Sequence, residues 1–385
     1  MRNFILTSES VTEGHPDKLC DQISDAIVDA FLETAAPCTV QAECAVANGV
    51  VFLSVLHGSE LTIDLADVTR GIIADVGYVD GRFAATTCTV LTNTNRFVTN
   101  APDLSGAAMT ASHSVTAFGY ACRQSPDYMP YPIWSAHQVS RQLDQARRDG
   151  RIPYLLPDGQ IQVAVRIENR QPVAIESVTL TTATRDEASP AGDAALEHAI
   201  RTHVIEPAFA RATVKPAGGT EIVIRRASPL AAGGPANHAG LTGRKMADDG
   251  YGGYARLTAS ALSGKDPSRS DRIATYAARH LAKCVVAAEM ASECEIQLSY
   301  GIGRSEPISL ELDTFGTGQQ SDEKLSARLR EIFDMRIGAI VERFDLWALT
   351  GRRGGHFFRN LAVYGQIGRG DLEAPWEDVS LAKTL

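Results

Sequence analysis

Three things are missing from this chain of 385 residues. No apolar run approaches the roughly 20 residues that span a bilayer, and Met1-Arg2-Asn3-Phe4 leads into no sustained hydrophobic segment. Both facts argue against a membrane anchor or a signal sequence. The seven cysteines (Cys20, Cys38, Cys44, Cys88, Cys122, Cys284 and Cys294) are odd in number, scattered and form no CxxC pair. That pattern argues against a disulfide framework or a cysteine zinc site and fits reduced thiols in the cytoplasm. There is no excess of positive charge: 37 Lys and Arg against 46 Asp and Glu give a formal net charge of −9, so a general nucleic-acid binder is not expected. What remains, 44% hydrophobic and 22% charged residues, is the composition of an ordinary soluble globular protein long enough for two or three domains.

What the chain does have is concentrated first at Thr7-Ser-Glu-Ser-Val-Thr-Glu-Gly-His-Pro-Asp-Lys18. His15, Asp17 and Lys18 fall together at the start of an amphipathic helix, where unpaired backbone N–H groups favour a phosphate chain and its metal ion. Helical spacing of Leu19, Ile23, Ala26, Ile27, Ala30 and Phe31 predicts this helix from Pro16 to about Thr34, with Pro16 suited to its first turn. Asp21, Asp25 and Asp29 continue from Asp17 at intervals of four and read as a solvated face.

Further along, Val40–Val46 and Val50–Val55 read as a hairpin through Asn48-Gly49, and Asp67–Val76 as a second helix. Asn93–Thr116 is polar and poorly periodic, as expected of a loop or lid after the first domain. The middle section predicts helices at Ile133–Arg148 and Ala194–Pro207 and strands at Ile161–Val173 and Val178–Thr184. After a glycine-rich loop from Ala231 to Gly253, a long helix is expected from Asp266-Pro267 to about Ala291, then strands Glu295–Tyr300 and Ile308–Leu312. Sheet and helix recur in three comparable blocks, which suggests α+β domains.

Two basic, glycine-containing motifs stand in the last section, Gly240-Leu-Thr-Gly-Arg-Lys245 and Ser263-Gly-Lys-Asp-Pro267. Neither has Walker A spacing. Together they gather three cations around flexible backbone, a device for neutralising a polyphosphate through charge-assisted hydrogen bonds.

With the N-terminal segment, these motifs resemble those of the S-adenosylmethionine synthetase (methionine adenosyltransferase) family. The similarity continues through Tyr251-Gly-Gly253, Asp271-Arg272, Tyr276-Ala-Ala-Arg279, Tyr364-Gly365 and Pro375-Trp-Glu377. It implies three α+β domains (1–100, 108–227 and 228–385) related by pseudo-threefold symmetry, in a homo-oligomer with active sites between subunits. It also implies attack of methionine sulfur on C5′ of ATP with expulsion of triphosphate, assisted by Mg2+ and K+. On this resemblance His15, Lys265 and Arg244 are the catalytic candidates. The ATP and triphosphate set adds Lys18, Asp158, Gln160, Lys245, Gly264, Arg269 and Ile302. Asp17 and Asp271 match magnesium ligands, and Glu43 a potassium ligand.

The chain departs from the family pattern where the second substrate would sit. Ser112-His113-Ser114-Val115 stands for a Gly-Asp-Gln-Gly loop, and Asn237-His238-Ala239 for a segment carrying an aspartate. Leu56 stands for a glutamate, Gln160 and Arg269 for lysines, Leu230 for an aromatic, and Thr258-Ala-Ser260 for three glycines. The expected second-substrate pocket is therefore Leu56, His113, His238 and Arg269. Phosphate and metal groups persist, while groups that hold an amino acid and a positive sulfur are replaced. Two other outcomes stay open: adenosyl transfer to a more acidic nucleophile, and a non-catalytic nucleotide-binding or regulatory paralogue.

Overall fold

The computed structural model describes residues 3–60, 62–97, 104, 106–185, 192–227 and 233–385. From the N-terminus, β1 (Phe4–Val11) turns into α1 (Pro16–Ala35). The helix starts where expected, because Pro16 has no N–H to satisfy and His15 Nδ1 accepts the Asp17 N–H at 3.2 Å. β2 (Val40–Ala47) and β3 (Val50–His57) form the predicted hairpin, with Asn48 at φ 55°. α2 (Leu65–Val76) is capped by the Asp64 carboxylate and followed by β4 (Thr89–Arg96), which runs parallel to β3.

Then come β5 (Val115–Cys122), α3 (Tyr131–Arg148), β6 (Leu155–Glu168) and β7 (Gln171–Thr184). α4 (Gly192–Ile200) continues through a wide turn to α5 (Glu206–Ala208) and β8 (Glu221–Arg226). β9 (Gly240–Leu241), α6 (Met246–Asp249), α7 (Ser270–Ala287), β10 (Glu293–Tyr300), β11 (Ser309–Asp313), α8 (Asp322–Ile332) and α9 (Ile337–Arg343) lead to a C-terminal region of short helices.

Among the described residues the strands form three small sheets, ordered β1-β6-β7-β8, β11-β10-β5 and β4-β3-β2-β9. Each takes one strand from a distant part of the chain. β1 lies antiparallel to β6, with Val11 opposite Gln160. β5 pairs with β10, and Leu241 of β9 lies opposite Ala45 of β2. The chain thus mixes helices with partly parallel and partly antiparallel sheets, the α+β class expected.

Four expectations need correction. The strand predicted over Ile161–Val173 is interrupted by a turn at Asn169 and Arg170, both in the left-handed region (φ 49° and 67°). Without a glycine, the pair lacks the usual signal of that turn. The long helix begins at Ser270, because the Asp266 carboxylate accepts the Ser268 N–H (2.7 Å) and hydroxyl (2.5 Å) and holds a turn instead. The start of the expected loop at Asn93 continues as strand β4 and its end at Thr116 lies in β5, while residues 98–103 and 105 of the expected lid lie outside those described.

The acidic stripe is the fourth. Asp21, Asp25 and Asp29 are buried. Asp21 accepts from Lys18 Nζ at 3.0 Å. Asp25 Oδ1 pairs with Arg272 of α7 and accepts the Gly264 N–H at 2.8 Å. Asp29 accepts from the Thr350 hydroxyl (2.6 Å) and the Arg359 N–H (2.8 Å). A four-residue period marks one helix face but not what covers it: apart from Lys18, the partners lie more than 200 residues away in the chain, the Gly243 N–H on Asp21 Oδ1 (2.7 Å) among them.

Candidate active site

The predicted residues gather in two clusters strung along α1. The first surrounds the start of α1. The second surrounds Lys265, whose neighbour Gly264 is held by Asp25. Eight residues of helix separate Asp17 from Asp25, a rise of about 12 Å.

In the first cluster, Asp17 Oδ1 accepts the Leu241 N–H at 3.1 Å and lies 3.6 Å from Arg244 Nη1. The His15 and His238 rings stand 5.1 Å apart between centroids. His238 Nε2 lies 3.1 Å from Asp158 Oδ2, which also accepts the Gly234 N–H at 2.7 Å. That N–H reaches Asp158 only because residue 234 has no side chain: its φ is 67°, and a Cβ would lie 2.0 Å from the Tyr78 hydroxyl. Lys245 Nζ and Gln160 Nε2 are held by the two oxygens of Glu9, both at 2.6 Å.

Burial pushes the His15 imidazole down to about 4 despite nearby Asp158 and Asp17. The hydrogen bond to Asp158 raises His238. His15 is therefore a neutral ring at pH 7, and His238 holds its proton more firmly than a free histidine.

In the second cluster, the buried Lys265 donates to Ser260 Oγ (2.6 Å) and to Asp271 Oδ2 (2.5 Å). Burial lowers the ammonium, against the pull of Asp271. On the other side of the carboxylate, His113 Nε2 lies 3.0 Å from Asp271 Oδ1. Burial works to raise the Asp271 carboxyl, but His113 and Lys265 outweigh it and hold it at about 2. Gln41 of β2 forms a β-bridge with Lys265, and Leu56 of β3 lies directly opposite Gln41. Glu43 follows on the same exposed face, accepting from Gln41 Nε2 at 2.9 Å. Arg269 caps α7 without a side-chain cap bond, and its Nε is buried without a hydrogen-bond partner among the described residues. Ile302 sits on an exposed turn whose backbone N–H donates to Ser114 Oγ, beside His113.

Lys18 does not join either cluster. It is fully buried, with its ammonium between Asp21 and Asp249, so its charge is internal and unavailable to a phosphate. Leu230 lies outside the described residues. Sequence reasoning passed over Glu9 and Ser260 as functional partners. Glu9 binds residues 151 and 236 positions away, and only the pairing of β1 with β6 reveals this.

The donor set fits magnesium in part of the expected way. Asp17 and Asp271 are hard oxygen donors, and Mg2+ commonly takes one or two carboxylates together with substrate phosphates and water. Asp271 has both oxygens engaged by Lys265 and His113, so phosphate oxygens that draw Lys265 away would free one of them. For potassium the chain offers only the exposed Glu43 carboxylate among these residues, too little for the several oxygens that a large monovalent ion gathers.

Comparison with known proteins agrees with the arrangement. Profiles of the S-adenosylmethionine synthetase N-terminal, central and C-terminal domains match residues 3–97, 108–228 and 232–378. An S-adenosylmethionine synthase of Prochlorococcus marinus (strain MIT 9313) is 43% identical over 402 aligned residues, covering 99% of this chain and 95% of that protein. One from Synechococcus sp. (strain CC9902) is also 43% identical, covering 99% of this chain and 98% of its own length. With all three domains matched and identity sustained from end to end, this chain belongs to the S-adenosylmethionine synthetase family of enzymes.

Proposed function

We propose that the protein is an ATP-dependent adenosyltransferase in which a nucleophile attacks C5′ of ATP. The new bond forms from the nucleophile's lone pair as the C5′–O bond breaks, and its electron pair leaves with the triphosphate. Displacement at a primary carbon needs alignment and relief of charge on a leaving group bearing about four negative charges, not a covalent intermediate. The single observation that carries this reading is the survival of His15, Asp17, Arg244, Lys245, Lys265 and Asp271 in two electrostatically organised clusters.

In this reading Arg244, Lys245, Lys265 and Arg269 take the triphosphate oxygens. His15, neutral and buried, hydrogen-bonds the leaving oxygen as charge develops there. Asp17 and Asp271 would hold Mg2+, which would supply charge neutralisation for the triphosphate. Asp158, Gln160 and Ile302 face the nucleoside, and Leu56, His113, His238 and Arg269 shape the second-substrate pocket. Methionine is the default nucleophile. Its ammonium would meet Leu56 and its sulfonium product two imidazoles, which disfavours it relative to a nucleophile with an acidic group.

The two clusters work together between copies of the chain. Leu91, Phe52, Ala45 and Leu241 form one row across the four strands β4-β3-β2-β9, with Phe52 44% and Leu91 51% exposed. An apolar row of this kind on one sheet face marks a contact surface. Glu43 and Leu56 lie on that same face, so a second copy seated there covers the second cluster.

Incubation with ATP and Mg2+, with and without methionine, followed by mass spectrometry of nucleotide products, tests the proposal. Triphosphate, or phosphate plus pyrophosphate, together with an adenosyl adduct supports it. Intact ATP under every nucleophile offered would overturn it.

A further inference from the structure

His15, Asp158 and His238 each offer a ligand atom within 4.8 Å of the other two. Two imidazoles and one carboxylate form a donor set quite unlike the all-oxygen sets that suit magnesium. We propose that this triad is a site for a borderline divalent transition metal, best filled by Zn2+, in the nucleotide-free protein.

A tetrahedral ion with legs of about 2.1 Å sets its donors about 3.4 Å apart. His238 Nε2 and Asp158 Oδ2 already stand at 3.1 Å. The separations to His15 lie within 4.8 Å, so at most about 1.4 Å of closing movement is left (4.8 less 3.4), and His238, a half-exposed side chain on a loop, can contribute to it. Asp158 is fixed from behind by the Gly234 N–H, as a ligating carboxylate requires. His15 is buried and His238 exposed, so the ion sits at the mouth of the cluster with a fourth position open to water.

Binding through His15 Nε2 moves the ring proton to Nδ1. The 3.2 Å cap contact with the Asp17 N–H is then exchanged for Asp17 Oδ2, now 3.9 Å away. A carboxylate behind a ligating histidine is the usual supporting arrangement. Of the two cations in the cluster, Lys245 is paired with Glu9 at 2.6 Å and Arg244 lies 3.6 Å from Asp17, so neither meets the ion as an unpaired charge. Metal arrival also displaces the hydrogen between His238 Nε2 and Asp158: a neutral ring carries it on Nδ1 instead, and a protonated ring releases it to solvent.

The site depends on His238, where the family pattern has an acid. Metal at His15 also removes the group that the adenosyltransferase reading assigns to the leaving oxygen. That consequence rests on the reading; the binding itself does not.

The test is titration of nucleotide-free protein with Co2+ in excess Mg2+, read by visible absorption and by displacement with Zn2+. The expected result is one equivalent of cobalt per chain in a low-symmetry, nitrogen-containing site. His238→Asn keeps a donor toward Asp158 but loses the imidazole, and should weaken binding at least about tenfold, as should His15→Ala. His113→Asn, off the triad, should bind as the parent does. No cobalt band in the parent, or an undiminished one in His238→Asn, would overturn the proposal. Neither result bears on whether ATP is consumed.

Discussion

His113 stands 3.0 Å from Asp271, on the opposite oxygen from Lys265. An acidic side chain at position 113 would set two carboxylates against each other. Here an imidazole shares the load with a lysine, and the local charge that a positive sulfur would need is partly cancelled. His238 does the same to Asp158. In the proposed reading both histidines fall on the second-substrate half of the site, while Arg244, Lys245 and Lys265 remain for the triphosphate.

Returning both positions to acids should therefore shift substrate preference. The double variant His113→Asp/His238→Asp is expected to gain about tenfold in kcat/KM for methionine, as a difference of one favourable charge contact implies. Steady-state kinetics with methionine and with an acidic thiol measures it. No gain would mean that other residues already hold the amino acid.

Lys265→Ala and Asp271→Ala should each lower turnover by about a hundredfold or more while far-UV circular dichroism stays unchanged, since both groups act on charge at the triphosphate. Near-normal turnover in both would displace the phosphate site from this cluster.

His15→Ala should reduce kcat far more than it raises the KM for ATP, because its hydrogen bond strengthens as the leaving oxygen gains charge. A change in KM alone would make His15 a ground-state ligand.

Glu377 gives the clearest pH signature of stability. Burial would raise its carboxyl, but Arg279 and Lys283 hold it at about 2, below the ordinary 4.5. A depressed carboxylate stabilises the fold above about pH 4.5, and that contribution is lost as pH falls toward 2. Glu377→Gln should cost roughly 3–5 kcal/mol at neutral pH, because two buried cations lose their partner. Its stability should also fall less steeply between pH 4.5 and 2. Urea unfolding across pH 2 to 7 reads both effects, and parallel curves for parent and variant would contradict the assignment.

Much of this was legible in the chain itself. The hairpin at Asn48-Gly49, the start of α1 at Pro16 and most helices follow from local signals that compete with nothing. The motifs carrying His15, Asp17, Arg244, Lys245, Lys265 and Asp271 are local too. What escaped depends on distant partners. Nothing near Lys18 indicates that Asp249 will bury it, and the period of Asp21, Asp25 and Asp29 is the same whether water or Arg272 covers that face. The turn at Asn169-Arg170 was hidden because arginine rarely takes a positive φ.

The most direct test of the account is complementation between two inactive variants. His15→Ala damages the first cluster and Lys265→Ala the second. If a working site joins the first cluster of one copy to the second of another, a mixed dimer holds one intact site. Co-expressed variants should then recover about a quarter of parental adenosyl transfer, since about half of randomly formed dimers are mixed and each has one of two sites intact. Adenosyl product no greater than from either variant alone would contradict a site shared between subunits.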